Sequence, residues 1–251
     1  MLRSPIGAPR FYVAEIAAEL VPGRDVALPE SAAHHAAKVL RLRVGDAVTL
    51  FTGHGGEFAA TIAHIDRHRV AARIDAFEER ERESSLHATL VQAIAANDAM
   101  EYAIRKSVEL GATAIQPVIT TRSAPLPAAP RATQRQERWR NIAIAACEQC
   151  GRNRLPEVRY AMPLDAWLQT RTVEATGIVP APGAVRSLAE IAPPQALDVL
   201  IGPEGGLTAA ELALAESAGM TPLHLGPRVL RTETAGPAVL AAVQALWGDW
   251  R

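Results

Sequence analysis

The chain has only two cysteines, Cys147 and Cys150, in 251 residues, which leaves nothing from which to build a disulfide framework. Their C-x-x-C spacing does not make a zinc site either, because two further ligands are needed and the nearest downstream histidine is His224. The surrounding segment reads as an amphipathic helix with Cys147 on its apolar side, so Cys147 is expected to pack and Cys150 to sit near the helix end. No run approaches the roughly 18 to 20 apolar residues of a membrane span, and Met1–Arg10 lacks the apolar core of a secretory signal. A cytoplasmic protein without membrane contact is expected. Long polar low-complexity runs are also missing, and with 49% hydrophobic and 21% charged residues the chain is of the folded, globular kind. A formal net charge of -1 excludes a uniformly basic nucleic-acid coat. Local charge is what grips phosphate, however, and arginines far outnumber lysines, so charge neither supports nor excludes RNA.

The length suits two compact units. From Arg10 to about Ile74, short strands (Phe11 to Val13, Ala47 to Leu50, Glu57 to Ile65) and a helical patch over Ser31 to Leu40 suggest a small β-rich domain. The glycine-rich run Thr52-Gly53-His54-Gly55-Gly56 fails the dinucleotide fingerprint, since Phe58 stands in it and no helix follows; a hairpin loop is expected. Adjacent histidines on a helix face different directions, so His34 and His35 do not form a metal pair, and no metal is expected. The charged run Glu78 to Ser85 reads as a linker between a domain over residues 1–77 and another over 86–251.

Beyond it, strands at Ala88 to Ala95 and Ala114 to Ile119 flank a helix at Asp98 to Leu110 ended by Gly111. A proline-rich loop, Ala124 to Arg131, precedes a helix carrying Trp139, Ile142, Ala143, Ala146 and Cys147, which exits at Gly151. Further strands are expected at Thr176 to Val179, Asp198 to Ile201 and Pro222 to Leu225, with helices at Thr208 to Ala218 and Pro237 to Trp247. The class is α/β, a mostly parallel sheet covered by helices.

Two loops after buried strands stand where such sheets bind ligands: Gly202-Pro203-Glu204-Gly205-Gly206, and Leu225 to Ala235 with Arg228, Arg231, Glu233 and two threonines. Thr208 and Glu211 make a capping box that ties the first loop to the next helix. Each loop alone could be an ordinary strand-to-helix turn, and Arg231 with Glu233 a surface ion pair. Together they favour a cofactor site.

Gly202-Pro203-Glu204-Gly205-Gly206, followed by Leu225-Gly226-Pro227-Arg228-Val229-Leu230-Arg231-Thr232-Glu233-Thr234-Ala235, resembles the cofactor signature of the SPOUT methyltransferases. The match is to the RsmE-type family, which modifies uridine N3 in small-subunit ribosomal RNA. It runs in order through Arg10 to Val13, His35, Val39 to Arg41, Gly45-Asp46, Lys106 to Gly111, Arg122-Ser123 and Glu148 to Arg152. Three places depart from the pattern: Ala96-Asn97-Asp98-Ala99 replaces a basic, glycine-containing turn, Thr121 a Glu, and Cys150 a Ser.

The resemblance implies a trefoil-knotted, mostly parallel sheet with helices on both faces, preceded by a PUA-like β-barrel domain, in a homodimer. It implies S-adenosylmethionine held by Ile201, Gly202, Pro203, Gly205, Gly206, Leu225, Gly226, Val229, Leu230 and Thr234. RNA, as free small-subunit ribosomal RNA or the assembled 30S subunit, would be held by Arg10, His35, Lys38, Arg41, Arg43 and Arg122.

Methyl transfer from a sulfonium is an in-line displacement, and uracil N3 must lose a proton to become nucleophilic. Arg231, with Arg152 as second candidate, is expected to stabilise the charge that develops. Glu204 and Glu233 are candidate proton acceptors or orienting groups, or else structural partners of arginines and amides. Two rivals stand beside this reading: an RNA-binding assembly protein that has lost catalysis, and an enzyme acting on another nucleoside.

Overall fold

A computed structural model describes residues 7–67, 69–125, 131–171 and 174–250. Most of the proline-rich loop expected at Ala124 to Arg131 lies outside these residues. The chain divides into two compact units, one of residues 1–83 with 144–155 and one of residues 84–143 with 156–251.

The first unit begins with β1 (Arg10–Tyr12), a 3-10 turn at Ala14–Glu19, and β2 (Asp25–Ala27). Helix α1 (Glu30–His34) continues as a π-turn over His35–Val39, which together form the expected helical patch. After it come β3 (Ala47–Phe51), β4 (Glu57–Ile65) and β5 (Val70–Glu78). The five strands form one sheet in the order β1-β3-β4-β5-β2, antiparallel except where β1 runs parallel to β3. β3 and β4 are antiparallel neighbours, so the glycine-rich run between them is the hairpin loop anticipated above. Alternating residues of the strands, among them Phe11, Val48, Leu50, Ile62 and Ile74, close over Ala32 and Ala36 of the helical patch to form the core. β2 and β5 were not foreseen: β2 has three residues, too few to show a period, and β5 has the run Val70-Ala71-Ala72 buried without alternation.

In the second unit β6 (His87–Ala93), α2 (Asn97–Glu109), β7 (Ala112–Ile119) and α3 (Arg131–Cys150) open the α/β part. The last residues of α3 belong to the first unit. There follow β8 (Glu157–Val158), β9 (Met162–Pro163), α4 (Leu164–Thr170), β10 (Thr176–Pro180), β11 (Ala196–Ile201), α5 (Ala209–Ser217), β12 (Met220–Leu223) and α6 (Thr232–Leu246). The strands make a seven-stranded sheet, parallel throughout, in the order β12-β10-β11-β6-β7-β8, with β9 also on β7. β11 enters between two earlier strands, β10 and β6.

β6 is buried on both faces from Leu90 to Ala93, the polar Gln92 included. Val91 and Ala93 pack with Trp167, Leu168 and Ala215 of α4 and α5, whereas Leu90 and Gln92 point the other way, towards α6. Gly236 of α6 makes that second packing possible. A β-carbon there would lie 2.8 Å from Leu90 Cδ1 and 3.5 Å from Ile201 Cγ1.

Several boundaries shift by a residue or two from the sequence reading, and two shifts bear on the site. β12 is Met220–Leu223 rather than Pro222 to Leu225; it is an edge strand, where Pro222 can sit without a donor being missed. Helix α6 starts at Thr232, so Pro237 stands inside it rather than at its first position. The Arg231 carbonyl already accepts the amides of Thr234 and Ala235, both at 2.9 Å, and so closes the first turn before the proline is reached.

Candidate active site

β10 and β12 are parallel neighbours, and the loops leaving their carboxyl ends enclose a cavity of about 540 Å³. Residues 180–184 form one wall and His224 to Leu230 with Ala235 the other. This size suits a nucleoside-bearing ligand. Gly226 (φ +80°) lets the chain turn sharply off β12. Val229 is 81% exposed beside it, which leaves an apolar surface for a ligand to cover.

Of the expected cofactor residues, Leu225, Gly226, Val229 and Leu230 line this cavity. Ile201, Gly202, Pro203, Gly205, Gly206 and Thr234 do not. The first loop turns instead towards the loops that follow β6 and β7. Glu204 Oε1 accepts the Ala96 amide at 2.7 Å, and Arg122 Nη1 donates to the Gly205 carbonyl at 2.7 Å. Glu211 Oε1 accepts from both the amide (2.7 Å) and hydroxyl (3.0 Å) of Thr121, while Oε2 accepts the corresponding groups of Thr208, completing the capping box. Arg122 is exposed and places one guanidinium nitrogen on this loop. Two of the departures from the family pattern, Ala96 and Thr121, are contact points of this network.

The wall missed by the sequence reading is Pro180 to Ala184. Its signal was present, a proline- and glycine-rich stretch (Val179-Pro180-Ala181-Pro182-Gly183) leaving a buried strand, which is the criterion that found the other two loops.

Burial raises the Glu211 carboxyl, but the donors from Thr121 and Thr208 outweigh it, and its pKa falls below the ordinary 4.5. With the folded value depressed, its stabilisation is complete above the unfolded pKa and is lost as pH falls through the folded one. Urea midpoints measured from about pH 6 down to pH 3 should decline more steeply for the natural protein than for Glu211→Gln. Equal slopes would remove Glu211 as the anchor.

Arg231 is exposed at the N-cap of α6, and its side chain makes no ion pair among the described residues. Glu233, one turn-step on, is half-buried. Thr232 between them is buried: its hydroxyl donates to the Gly202 carbonyl at 2.6 Å and accepts from Gln92 Nε2 at 2.9 Å. The sequence marked Thr232 only as one of the two threonines of its loop and did not mark Gln92, because a hydroxyl and an amide 140 residues apart leave no local pattern.

The remaining candidates lie in the first unit. Arg152 is buried and held by Glu83, with Nε to Oε1 at 2.9 Å and Nη2 to Oε2. Arg10 requires a correction. Its side chain is 2% exposed; Nη1 reaches Glu57 Oε2 at 2.5 Å and Nη2 reaches Asn153 Oδ1 at 2.5 Å, with the guanidinium over Phe51. It is a structural cation, not a phosphate contact. Burial raises the Glu57 carboxyl, yet Arg10 and Asn153 hold it below its ordinary range. Lys38, Arg41 and Arg43 are exposed, and His35 is half-buried with its ring edge-on to Phe11. Arg41 has φ +53°, the one positive φ outside glycine among the described residues. Cys147 is fully buried and its thiol is pushed up to about 12, chiefly by burial, which makes it inert.

The family model described as RNA methyltransferase domain matches residues 82–244, and that described as RNA methyltransferase PUA domain matches residues 28–75. Ribosomal RNA small subunit methyltransferase E of Buchnera aphidicola (subsp. Schizaphis graminum) is 32% identical over 244 residues, covering 96% of this chain and 97% of the relative. The protein of the same name from Bacillus subtilis is 32% identical over 220 residues, covering 84% and 86%. The Neisseria gonorrhoeae protein of that name, solved bound to S-adenosyl methionine, superposes with a TM-score of 0.90 at 40% identity over 97% of this chain and 100% of that one. With both parts matched in order and relatives aligned end to end, the chain belongs to the RNA methyltransferase family that carries a PUA domain ahead of its catalytic domain.

Proposed function

We propose that this chain transfers a methyl group from S-adenosylmethionine to N3 of a uridine in small-subunit ribosomal RNA. The observation that carries this is the cavity at the carboxyl ends of β10 and β12, with Arg231 and Glu233 in the segment that follows its wall. The cofactor would lie between residues 180–184 and 225–230, and when bound it supplies an electrophilic methyl carbon.

The protein's own part is to bring uracil N3 to about 3 to 3.5 Å from that carbon and to exclude water. Arg231, exposed and without an ion-pair partner among the described residues, presents its donors to the charge forming on the uracil carbonyls as N3 loses its proton. Glu233 is the better proton acceptor of the two glutamates, since Glu204 is occupied by the Ala96 amide. Arg152, paired with Glu83, is assigned a structural role.

Residues 1–77 would hold the RNA through Lys38, Arg41, Arg43 and His35, and residues 86–251 would carry out transfer. The entry of β11 between β10 and β6 supports a trefoil knot, and a homodimer in the cytoplasm completes the reading. Tritiated S-adenosylmethionine incubated with small subunits lacking the modification should place label in the RNA fraction. Cofactor binding without label in any RNA would favour the assembly-protein alternative.

A further inference from the structure

We infer that Thr232, backed by Gln92, is a positioning residue that fixes the start of α6 to the loop after β11 and so sets where Arg231 and Glu233 stand. This rests on the methyl-transfer reading above for its kinetic consequences, but the contacts themselves do not. Arg231 has no side-chain cap for α6, so the helix start needs another anchor. The Thr232 hydroxyl supplies it, donating to the Gly202 carbonyl at 2.6 Å.

Gln92 determines the direction of that hydroxyl. Its Nε2 donates both to the Ala93 carbonyl at 3.1 Å and to Thr232 Oγ1 at 2.9 Å. Because Oγ1 accepts the hydrogen bond from Gln92, its own O–H is left to donate to Gly202. Turning the amide over would set Oε1 against the Ala93 carbonyl, so the orientation holds even though Oε1 is buried without a donor in its present place. Ile201 pairs with Gln92 in the sheet register, which puts Gly202 beside this amide. Gly236, one turn further along α6, lies close enough to Leu90 and Ile201 to keep the helix on the sheet. One hydroxyl therefore joins β6, the first loop and the helix that follows the cofactor wall.

The test compares Thr232→Val, which keeps the shape and removes both bonds, with Thr232→Ser, which keeps the hydroxyl. Thr232→Val should lower kcat by roughly 30-fold while S-adenosylmethionine KM changes less than about 3-fold, and Thr232→Ser should restore turnover to within about 3-fold of the natural protein. A Thr232→Val enzyme with natural kcat, or a Thr232→Ser enzyme as slow as Thr232→Val, overturns the inference. Amide hydrogen exchange over residues 231–236 is measured in the same variants with no substrate present. If the natural protein transfers no methyl group, the functional reading falls, and exchange alone decides the positioning: faster in Thr232→Val and natural in Thr232→Ser supports it, and equal rates in all three overturn it.

Discussion

Arg231→Ala is expected to reduce turnover by about 10²- to 10³-fold, the usual cost of losing one donor that stabilises developing charge, with the fold and cofactor affinity kept. The structure separates these effects. What Arg231 gives to the fold is its backbone carbonyl, which accepts the Thr234 and Ala235 amides and is unchanged in alanine. Its side chain is exposed and is not among the residues lining the cavity. Arg231→Lys keeps a charge but not the planar fork, so it should recover only part of the loss. Steady-state kinetics with calorimetric cofactor binding on the same preparations checks all three statements, and near-natural turnover in Arg231→Ala would remove Arg231 from the chemistry.

The second large effect concerns stability. Arg10→Ala should cost about 3 to 5 kcal/mol, as expected when one partner of a buried ion pair is removed, which corresponds to a fall in Tm on the order of 10 °C. It takes from the Glu57 carboxylate, 4% exposed, its one buried arginine and leaves Asn153 Oδ1 without its donor. Arg80 and Arg82 still reach Glu57, at 3.1 and 3.3 Å, and limit the loss. Arg41→Ala should behave in the opposite way, leaving Tm unchanged and weakening RNA binding, because Arg41 is exposed. Thermal melts and filter binding on both variants distinguish the roles. An Arg10→Ala protein as stable as the natural one, with weakened RNA binding, would return Arg10 to the RNA surface.

Arg10 also illustrates what a sequence can and cannot disclose. An arginine opening a small β-rich domain reads as a phosphate contact, and nothing near it in the chain reveals Glu57 or Asn153, 47 and 143 residues away. Local and periodic features were legible: the glycine hairpin between β3 and β4, the Thr208–Glu211 capping box, the α3 helix closed by Gly151, and the run of apolar strands. Each depends on neighbours within a turn or a strand. The packing of residues 144–155 with the N-terminal unit was not legible, because it depends on long-range ion pairs such as Arg152 with Glu83.

The candidate site divides the same way. The second glycine loop lines the cavity, whereas the first makes its hydrogen bonds with Ala96 and Arg122. Those partners lie 108 and 83 residues away in the chain, beyond any local pattern. The early start of α6, ahead of Pro237, has the same origin, since Thr232 is held from across the sheet.

The most direct measurement is nucleoside mass spectrometry of small-subunit ribosomal RNA after incubation with this protein and isotopically labelled S-adenosylmethionine. Labelled 3-methyluridine, present with the natural protein and nearly absent with Arg231→Ala, is the expected outcome. Label on any other nucleoside, or 3-methyluridine formed equally by the variant, would refute the assignment of substrate or of the catalytic arginine respectively.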